Sequence, residues 1–557
     1  MRPLTRLLLL VVIAGLFGAG CRSFSIIDET FELLAAGGRD QLRHELRPIR
    51  GGTRVLLIGV DGLSDATLKR AIAEGQMPNL ARLLGHTPLD DHTWSHGYAV
   101  PDVTSILPSE TAAGWAATLT GHPPAENSIS GNEWYDRRTG KLHFPVPISM
   151  DSYKENLEIY SDRYFSEHLQ VYTLFEKADV RSHVSMAFVY RGADFMTRPD
   201  LNDIGDVLEI ITSRIISGGD TKEPYRELDS DTWEGANATI RDFGVPDLQV
   251  AYFPGADLIT HKFGSEAQWS YLRNETDANI GRLIDLYERE GVLDSTYIIL
   301  TSDHGHTDTL DDDAHSFIGA HEPDEPPALF DSLGIRLRPF ERSTSDTTFQ
   351  AVMTYDEAVA YVYLADRSTC AEENARCDWS TSPRLEEDVL PVARAFHDAN
   401  QTGAHVPAMQ GALDLILVRS SVLGASVPFQ VFDGEQLLSI ADYLAQNPRP
   451  DLFRLEERLG WLTDGPYGYQ AGDILLMAKS GDEIPIEERF YFGSPHRSGH
   501  GGAHRSDSHI PLLVAHAART GEQIAADVEG ALGDAPSQLD VTPLVLHLLG
   551  RRSASLP

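Results

Sequence analysis

Three apolar runs, each followed within a few residues by an aspartate, constrain this chain more than any other feature. Arg54 to Val60 (RVLLIGV) runs into Asp61-Gly62, Asp247 to Phe253 into Pro254-Gly255-Ala256-Asp257, and Ser295 to Leu300 into Thr301-Ser302-Asp303-His304. A continuous apolar run such as the first lacks the alternation of a strand with one wet face, and reads as a parallel strand buried on both sides. The carboxyl ends of such strands are where α/β sheets place their ligands. Helical stretches fall between them, near Ala66 to Glu74, Leu80 to Leu84 and Ala267 to Glu290, and His183 to Phe188 reads as a further strand. At 557 residues the chain can hold one large α/β domain with insertions, or two or three smaller domains.

Between the first two runs lies Thr111 to Asp136 (TAAGWAATLTGHPPAENSISGNEWYD). A hydroxyl residue opens an Ala/Trp/Thr/Leu run that starts a helix, so Thr111 sits where backbone N–H groups favour an anion. That suits a nucleophile, although a Thr there is also an ordinary helix cap. After the flexible Gly131, the Asn132 amide can reach back toward the same anion.

The acidic side chains at the run ends carry metal-ligand chemistry. Asp257 and His261, four apart, reach one cation if a helical turn follows the strand. Adjacent Asp303 and His304 crowd one crevice, which is uncommon for a structural role. Four histidines fall between positions 496 and 509, in Ser498-Gly499-His500-Gly501-Gly502-Ala503-His504 and its flanks. Aspartates and histidines without clustered cysteines fit two open, catalytic sites for cations of the zinc type.

The formal net charge of -37 excludes nucleic-acid backbones as partners, since holding phosphates in series needs a basic surface. No nucleic-acid duplex binding is expected. The N-terminus reads as an export signal, with Arg2 and Arg6, an apolar stretch from Leu7 to Phe17, and Gly18-Ala19-Gly20-Cys21 similar to a lipoprotein cleavage box. The apolar stretch is short for a spanning helix, which needs about 20 residues. Membrane attachment through a lipidated Cys21, in the periplasm or at a bacterial cell surface, is the expectation. Cys370 and Cys377 form a local disulfide on this reading, because no nearby Cys or His completes a ligand set.

In order along the chain, VLLIGVDG, TLTG, GNEWYD, DLITH, SDHGH, HGGAHRSDSHIPLL and DVTPLVLHLLG resemble the alkaline phosphatase superfamily. The resemblance is greatest to its nucleotide pyrophosphatase/phosphodiesterase branch and to the related threonine-nucleophile phosphate-monoesterases. It implies an α/β fold, an alkaline-phosphatase-like three-layer α/β/α core with a mostly parallel central sheet and a large cap insertion. The implied division is 1–21 signal, 22–52 polar linker, 53–310 first part of the catalytic core, 311–490 cap and 491–557 last part of the core. Read from its residues alone, the apolar Gly472 to Ala478 looks like a strand with which the core resumes, ahead of that last boundary. The resemblance further implies that Asp257, His261 and His500 bind one zinc, and Asp61, Asp303, His304 and Thr111 the other, with manganese or iron as alternatives. Asn132 and the backbone N–H of Ala112 match donors to a phosphoryl oxygen, and His509 matches a structural histidine. The implied activity is an exported two-zinc phosphoester hydrolase that passes through a phosphothreonine on a small phosphate ester.

Two departures bear on the substrate. Ala112-Ala113-Gly114-Trp115 replaces the Pro and polar residue that follow the nucleophile in many relatives. At Arg191, monoesterase relatives carry a Lys-x-Arg pair on the phosphate, and the lysine position here is Val189. A half-kept pair favours diesters, which need less positive charge than dianionic monoesters. The alternatives are an alkaline-phosphatase-like monoesterase, with Arg191 on the phosphate, and an inactive phosphate-binding lipoprotein.

Overall fold

The structure is a computed structural model, and it describes residues 38–146, 165, 168–198, 223–317, 324–339, 347–372, 375–421 and 427–551. The expected signal and Cys21 lie outside the described residues. Among those described, no helix is long and apolar enough to cross a membrane.

Among the described residues the three runs are neighbouring strands, Leu248–Phe253, Arg54–Val60 and Thr296–Thr301, at the middle of a nine-stranded sheet. With Ser182–Ser185 and Phe195–Arg198 they form five consecutive parallel strands. Antiparallel pairings extend the sheet on both sides, through Gly38–Gln41 at one edge and Leu512–Ala515, Gly97–Ala99 and Thr93–Trp94 at the other. Alternate side chains of one strand enter opposite cores. Val55 and Leu57 pack with the Thr111–Thr120 and Val541–Leu548 helices, whereas Leu56 and Ile58 pack with Asp65–Ala73, Pro78–Leu84 and Asp277–Arg289. That two-sided burial is why Arg54–Val60 carries no polar alternation, and it makes a three-layer α/β/α core.

Local chemistry sets the element ends. Pro78 opens its helix at the first turn and Gly85, at φ 91°, closes it in the left-handed region. The strand expected over His183 to Phe188 stops at Ser185, because Met186 turns to φ 66°. The helix expected from Ala267 to Glu290 is continuous but contains a π turn, Leu272–Thr276, between Ser265–Tyr271 and Asp277–Arg289.

A second, six-stranded sheet runs in the order Ala351–Asp356, Val359–Leu364, Ile474–Ala478, Leu413–Val418, Gln430–Phe432, Leu437–Ser439, antiparallel throughout. The Gly472 to Ala478 run therefore belongs to this sheet and not to the resumption of the core. It is apolar because it is an inner strand with both faces covered, a state its sequence shares with the strands of the larger sheet. The Leu390–Thr402 helix packs on one face, and the Leu455–Thr463 helix, Leu107 and Tyr135 on the other. Cys370 and Cys377 are disulfide-bonded.

Candidate active site

Parallel register brings the acidic groups together. Thr301 is paired with Gly59 and Phe253 with Val60, so Asp61, Asp303 and the segment leading to Asp257 leave the sheet side by side. Two glycines let a helix close over them. A β-carbon at Gly59 would meet the Trp115 ring at 2.3 Å, and one at Gly114 would meet Asp303 Cβ at 2.8 Å. Thr111 is consequently the first residue of its helix, with Glu110 as the extended N-cap, right beside the strand ends.

The second cluster converges on His304 Nε2. Asp61 Oδ1, Asp303 Oδ2 and Thr111 Oγ1 each lie 3.3 Å from that nitrogen. His304 Nδ1 donates to Gly305 O at 2.9 Å, which leaves the Nε2 lone pair facing the oxygens. The outer carboxylate oxygens are fixed from behind. Asp61 Oδ2 accepts from Tyr252 Oη and from Trp115 Nε1 at 3.4 Å, and Asp303 Oδ1 from the Gly62 N–H and Ser302 Oγ, both at 3.3 Å. Asp61 Oδ1 and Asp303 Oδ2 are buried with no hydrogen-bond donor. Ligands about 2.0–2.2 Å from a tetrahedral zinc stand about 3.3–3.6 Å apart, so these four atoms fit a cation. Without one the cluster is strained electrostatically. Burial and the Asp61 charge push the Asp303 carboxyl well up, and Asp303 and Asp61 hold His304 well up against the opposing effect of burial.

The first cluster stands beside it, His500 and His304 being stacked with ring centroids 3.6 Å apart. Asp257 and His261 share one face of the Gly255–Phe263 helix, with Oδ1 and Nε2 3.3 Å apart. His261 Nε2 is 3.2 Å from His500 Nε2, which is 3.8 Å from the same Asp257 oxygen. Both rings donate from Nδ1 to carbonyls, His261 to Ser498 at 2.7 Å and His500 to Ser109 at 2.9 Å. Two Nε2 lone pairs so placed need a proton or a cation between them. Burial works against a charged His261, but Asp257 and Glu357 raise it to about 10, the field that also favours a cation.

All six predicted metal ligands and Thr111 thus meet in two adjacent clusters. Asn132 borders Thr111, its Oδ1 accepting the Ala112 N–H at 2.9 Å and its Nδ2 donating to Glu110. The Ala112 donor expected for a phosphoryl oxygen is therefore engaged by Asn132 itself. Arg191, matched by resemblance to a phosphate-binding position, is engaged by protein groups. Its guanidinium bonds Glu176 at 3.1 Å, Leu169 O at 2.8 Å and Val171 O, tying down the Leu174–Ala178 helix. His509 lies outside both clusters, against Phe453 and 3.8 Å from Asp65.

Sequence reasoning missed three neighbours. His306 Nε2 lies 2.9 Å from Asp257 Oδ1, and the second histidine of SDHGH was its signal. Glu110 approaches His500 Nδ1 at 3.5 Å, and Glu357 lies near both His261 and His500. The glycines around His500 hinted at them, since a β-carbon at Gly501 would meet Glu110 Oε1 at 2.4 Å and one at Gly499 would meet Glu357 Oε2 at 2.9 Å.

Fold and site together define an α/β protein with a hydroxyl at a helix start beside two clusters of carboxylates and histidines that could hold cations. A family profile, type I phosphodiesterase / nucleotide pyrophosphatase, matches residues 55–398, and the chain belongs to that family. It is a metal-dependent phosphoric ester hydrolase. Among solved structures it is similar to murine ectonucleotide pyrophosphatase / phosphodiesterase 5, at 14% identity over 90% of this chain and 96% of that one, with a TM-score of 0.48. It is also similar to phosphonoacetate hydrolase from Sinorhizobium meliloti 1021, solved with phosphonoformate, at 17% identity over 91% and 100%, with a TM-score of 0.47. No curated protein sequence matches it.

Proposed function

We propose that this chain is a two-zinc phosphodiesterase or nucleotide pyrophosphatase working through a phosphothreonine at Thr111. The observation that carries the reading is the equal 3.3 Å approach of Thr111 Oγ1, Asp61 Oδ1 and Asp303 Oδ2 to His304 Nε2 at a helix start. Asp61, Asp303, His304 and Thr111 would hold one cation, and Asp257, His261 and His500 the other. When bound, two such cations would supply Lewis acidity, lowering the pKa of a coordinated hydroxyl and offsetting phosphoryl charge.

Thr111 Oγ1 attacks phosphorus in line, a new P–O bond forming as the ester bond to the leaving alcohol or nucleotide breaks. The start of the Thr111–Thr120 helix places its positive dipole end toward the phosphoryl group. Asn132 Nδ2 has a second hydrogen beyond the one given to Glu110, and it donates to the same group. A water then displaces Thr111 from phosphorus, so that two inversions give net retention.

Preference for diesters rests on the charges around the acceptor face. The side chains engaged with Asn132 are those of Glu110 and Asp356, acids whose carboxyls burial pushes well up, and neither offers the positive charge a dianionic monoester would need. Export and anchoring through Cys21 belong to the same proposal, and unchanged processing and retention of a Cys21→Ala protein would refute them.

The catalytic test is zinc-supplemented hydrolysis of a nitrophenyl phosphate diester and the matching monoester by wild type and Thr111→Ala. The expected result is faster diester turnover, with the variant reduced on the order of 10³-fold or more and no longer trapped with a covalent phosphoryl group by intact mass. Faster monoester turnover would refute the diester preference. Wild-type turnover by Thr111→Ala would refute the nucleophile.

A further inference from the structure

The hairpin turn between Ala351–Asp356 and Val359–Leu364 belongs to the six-stranded sheet, yet its two acidic side chains are buried against the site built on the other sheet. Asp356 Oδ1 accepts the Asn132 and Glu133 N–H groups at 2.6 and 2.9 Å. Glu357 reaches the first cluster. Its Oε2 accepts the His500 N–H at 2.7 Å and lies 3.8 Å from His500 Nε2. Its Oε1 lies 3.6 Å from the His261 ring nitrogen Nδ1 and 3.8 Å from His496 Nε2, a buried atom with no hydrogen-bond partner.

The backbone under this side chain is unfavourable. Glu357 has φ 51°, a left-handed conformation in which local stability alone would select glycine. The opposing loop yields to it, Gly499 leaving the space that Glu357 Oε2 enters. A strained turn holding a buried acidic side chain, and a glycine leaving room for that side chain, are two separate signs that the position serves the carboxyl group.

We infer that Glu357 is a positioning residue of the first cluster: the hairpin of the second sheet fixes the His500 backbone and sets a carboxyl group beside His261 and His500 that favours a cation at Asp257, His261 and His500. The inference rests on the reading of that cluster as a cation site. It makes occupancy of this site depend on the six-stranded sheet, whereas the Asp61–Asp303–His304 site is assembled without it.

The test is zinc titration of the full-length, chelator-stripped chain against a competing chromophoric chelator, comparing wild type, Glu357→Gln and Glu357→Gly. Wild type binds two zinc ions. Glu357→Gln keeps an acceptor for the His500 N–H but loses the charge, and weakens one site about tenfold; Glu357→Gly weakens that site about 100-fold, with the other site within about twofold of wild type. Glycine relieves the left-handed turn but leaves the buried His500 N–H without its acceptor, so the fold control is Glu357→Gln, which keeps that acceptor and whose metal-free melting temperature does not fall. Wild-type affinity at both sites in both variants would overturn the inference, as would equal weakening of both sites together with a lowered metal-free melting temperature. A wild-type chain that binds no zinc would overturn the cation reading itself, before any variant is compared.

Discussion

Removing the Tyr252 hydroxyl isolates one orienting contact of the second cluster while leaving its packing in place. Tyr252 is 2% exposed, and its ring stacks edge-on with Trp115 and Phe188 at centroid distances of 5.1 and 5.6 Å, contacts that Tyr252→Phe retains. What the variant loses is the bond from Tyr252 Oη to Asp61 Oδ2, leaving Trp115 Nε1 at 3.4 Å as the remaining donor. A hydrogen bond to a charged acceptor contributes about 1.5–3 kcal/mol, equivalent to about 10–100-fold in an equilibrium constant. Loss of an outer-shell partner of a metal ligand typically costs about 10–100-fold in affinity, the same range reached by another route. Competition titration with zinc should therefore show one site weakened by that factor, with an unchanged circular dichroism spectrum and diester turnover restored at excess zinc. Wild-type zinc affinity in Tyr252→Phe would refute the argument that Asp61 is held in place for a cation from behind.

Three other perturbations follow from the geometry. Gly59→Ala drives a methyl group into the Trp115 ring, which is 1% exposed, and should destabilise by about 1–3 kcal/mol in chemical denaturation; unchanged stability would show that helix and strand can separate there. Arg191→Ala should leave the diester KM within about twofold while lowering stability by about 1–3 kcal/mol, since three groups lose their donor; a large rise in KM with unchanged stability would return Arg191 to the phosphate. Reducing the Cys370–Cys377 bridge, which closes a loop of sequence separation 7, should cost about 2.4 kcal/mol of local stability, read as faster proteolysis near that loop. Equal cleavage rates with and without reductant would contradict it.

The two clusters were legible because each ligand has a local signature. Asp61 and Asp303 end buried parallel strands, whose apolar runs cannot be mistaken for half-wet ones, and Asp257 and His261 announce a shared helix face by their spacing. Glu357 and Glu110 left only an indirect trace, in the glycines on either side of His500. Each reaches the site through a contact far away in sequence, and an isolated Glu carries no periodicity. Ile474–Ala478 misled for the converse reason: burial on both faces writes the same pattern in either sheet. Arg191 was placed by resemblance alone, and its role was decided by Glu176 and two carbonyls that a motif does not include.

The strand Leu512–Ala515 fills an inner slot of the large sheet, between Thr296–Thr301 and Gly97–Ala99. A ribosome must therefore deliver nearly the whole polypeptide before two segments made much earlier can be joined, and until then Thr296–Thr301 presents an open edge. Closure over so long a separation is slow and leaves the nascent chain exposed to mispairing. His500 arrives on the same late segment. Sealing of the sheet and completion of the site thus both wait on the segment from His500 to Ala515, and a chain that stops short of His500 lacks an inner strand of its scaffold even though six of the seven predicted cation-binding residues have already been made.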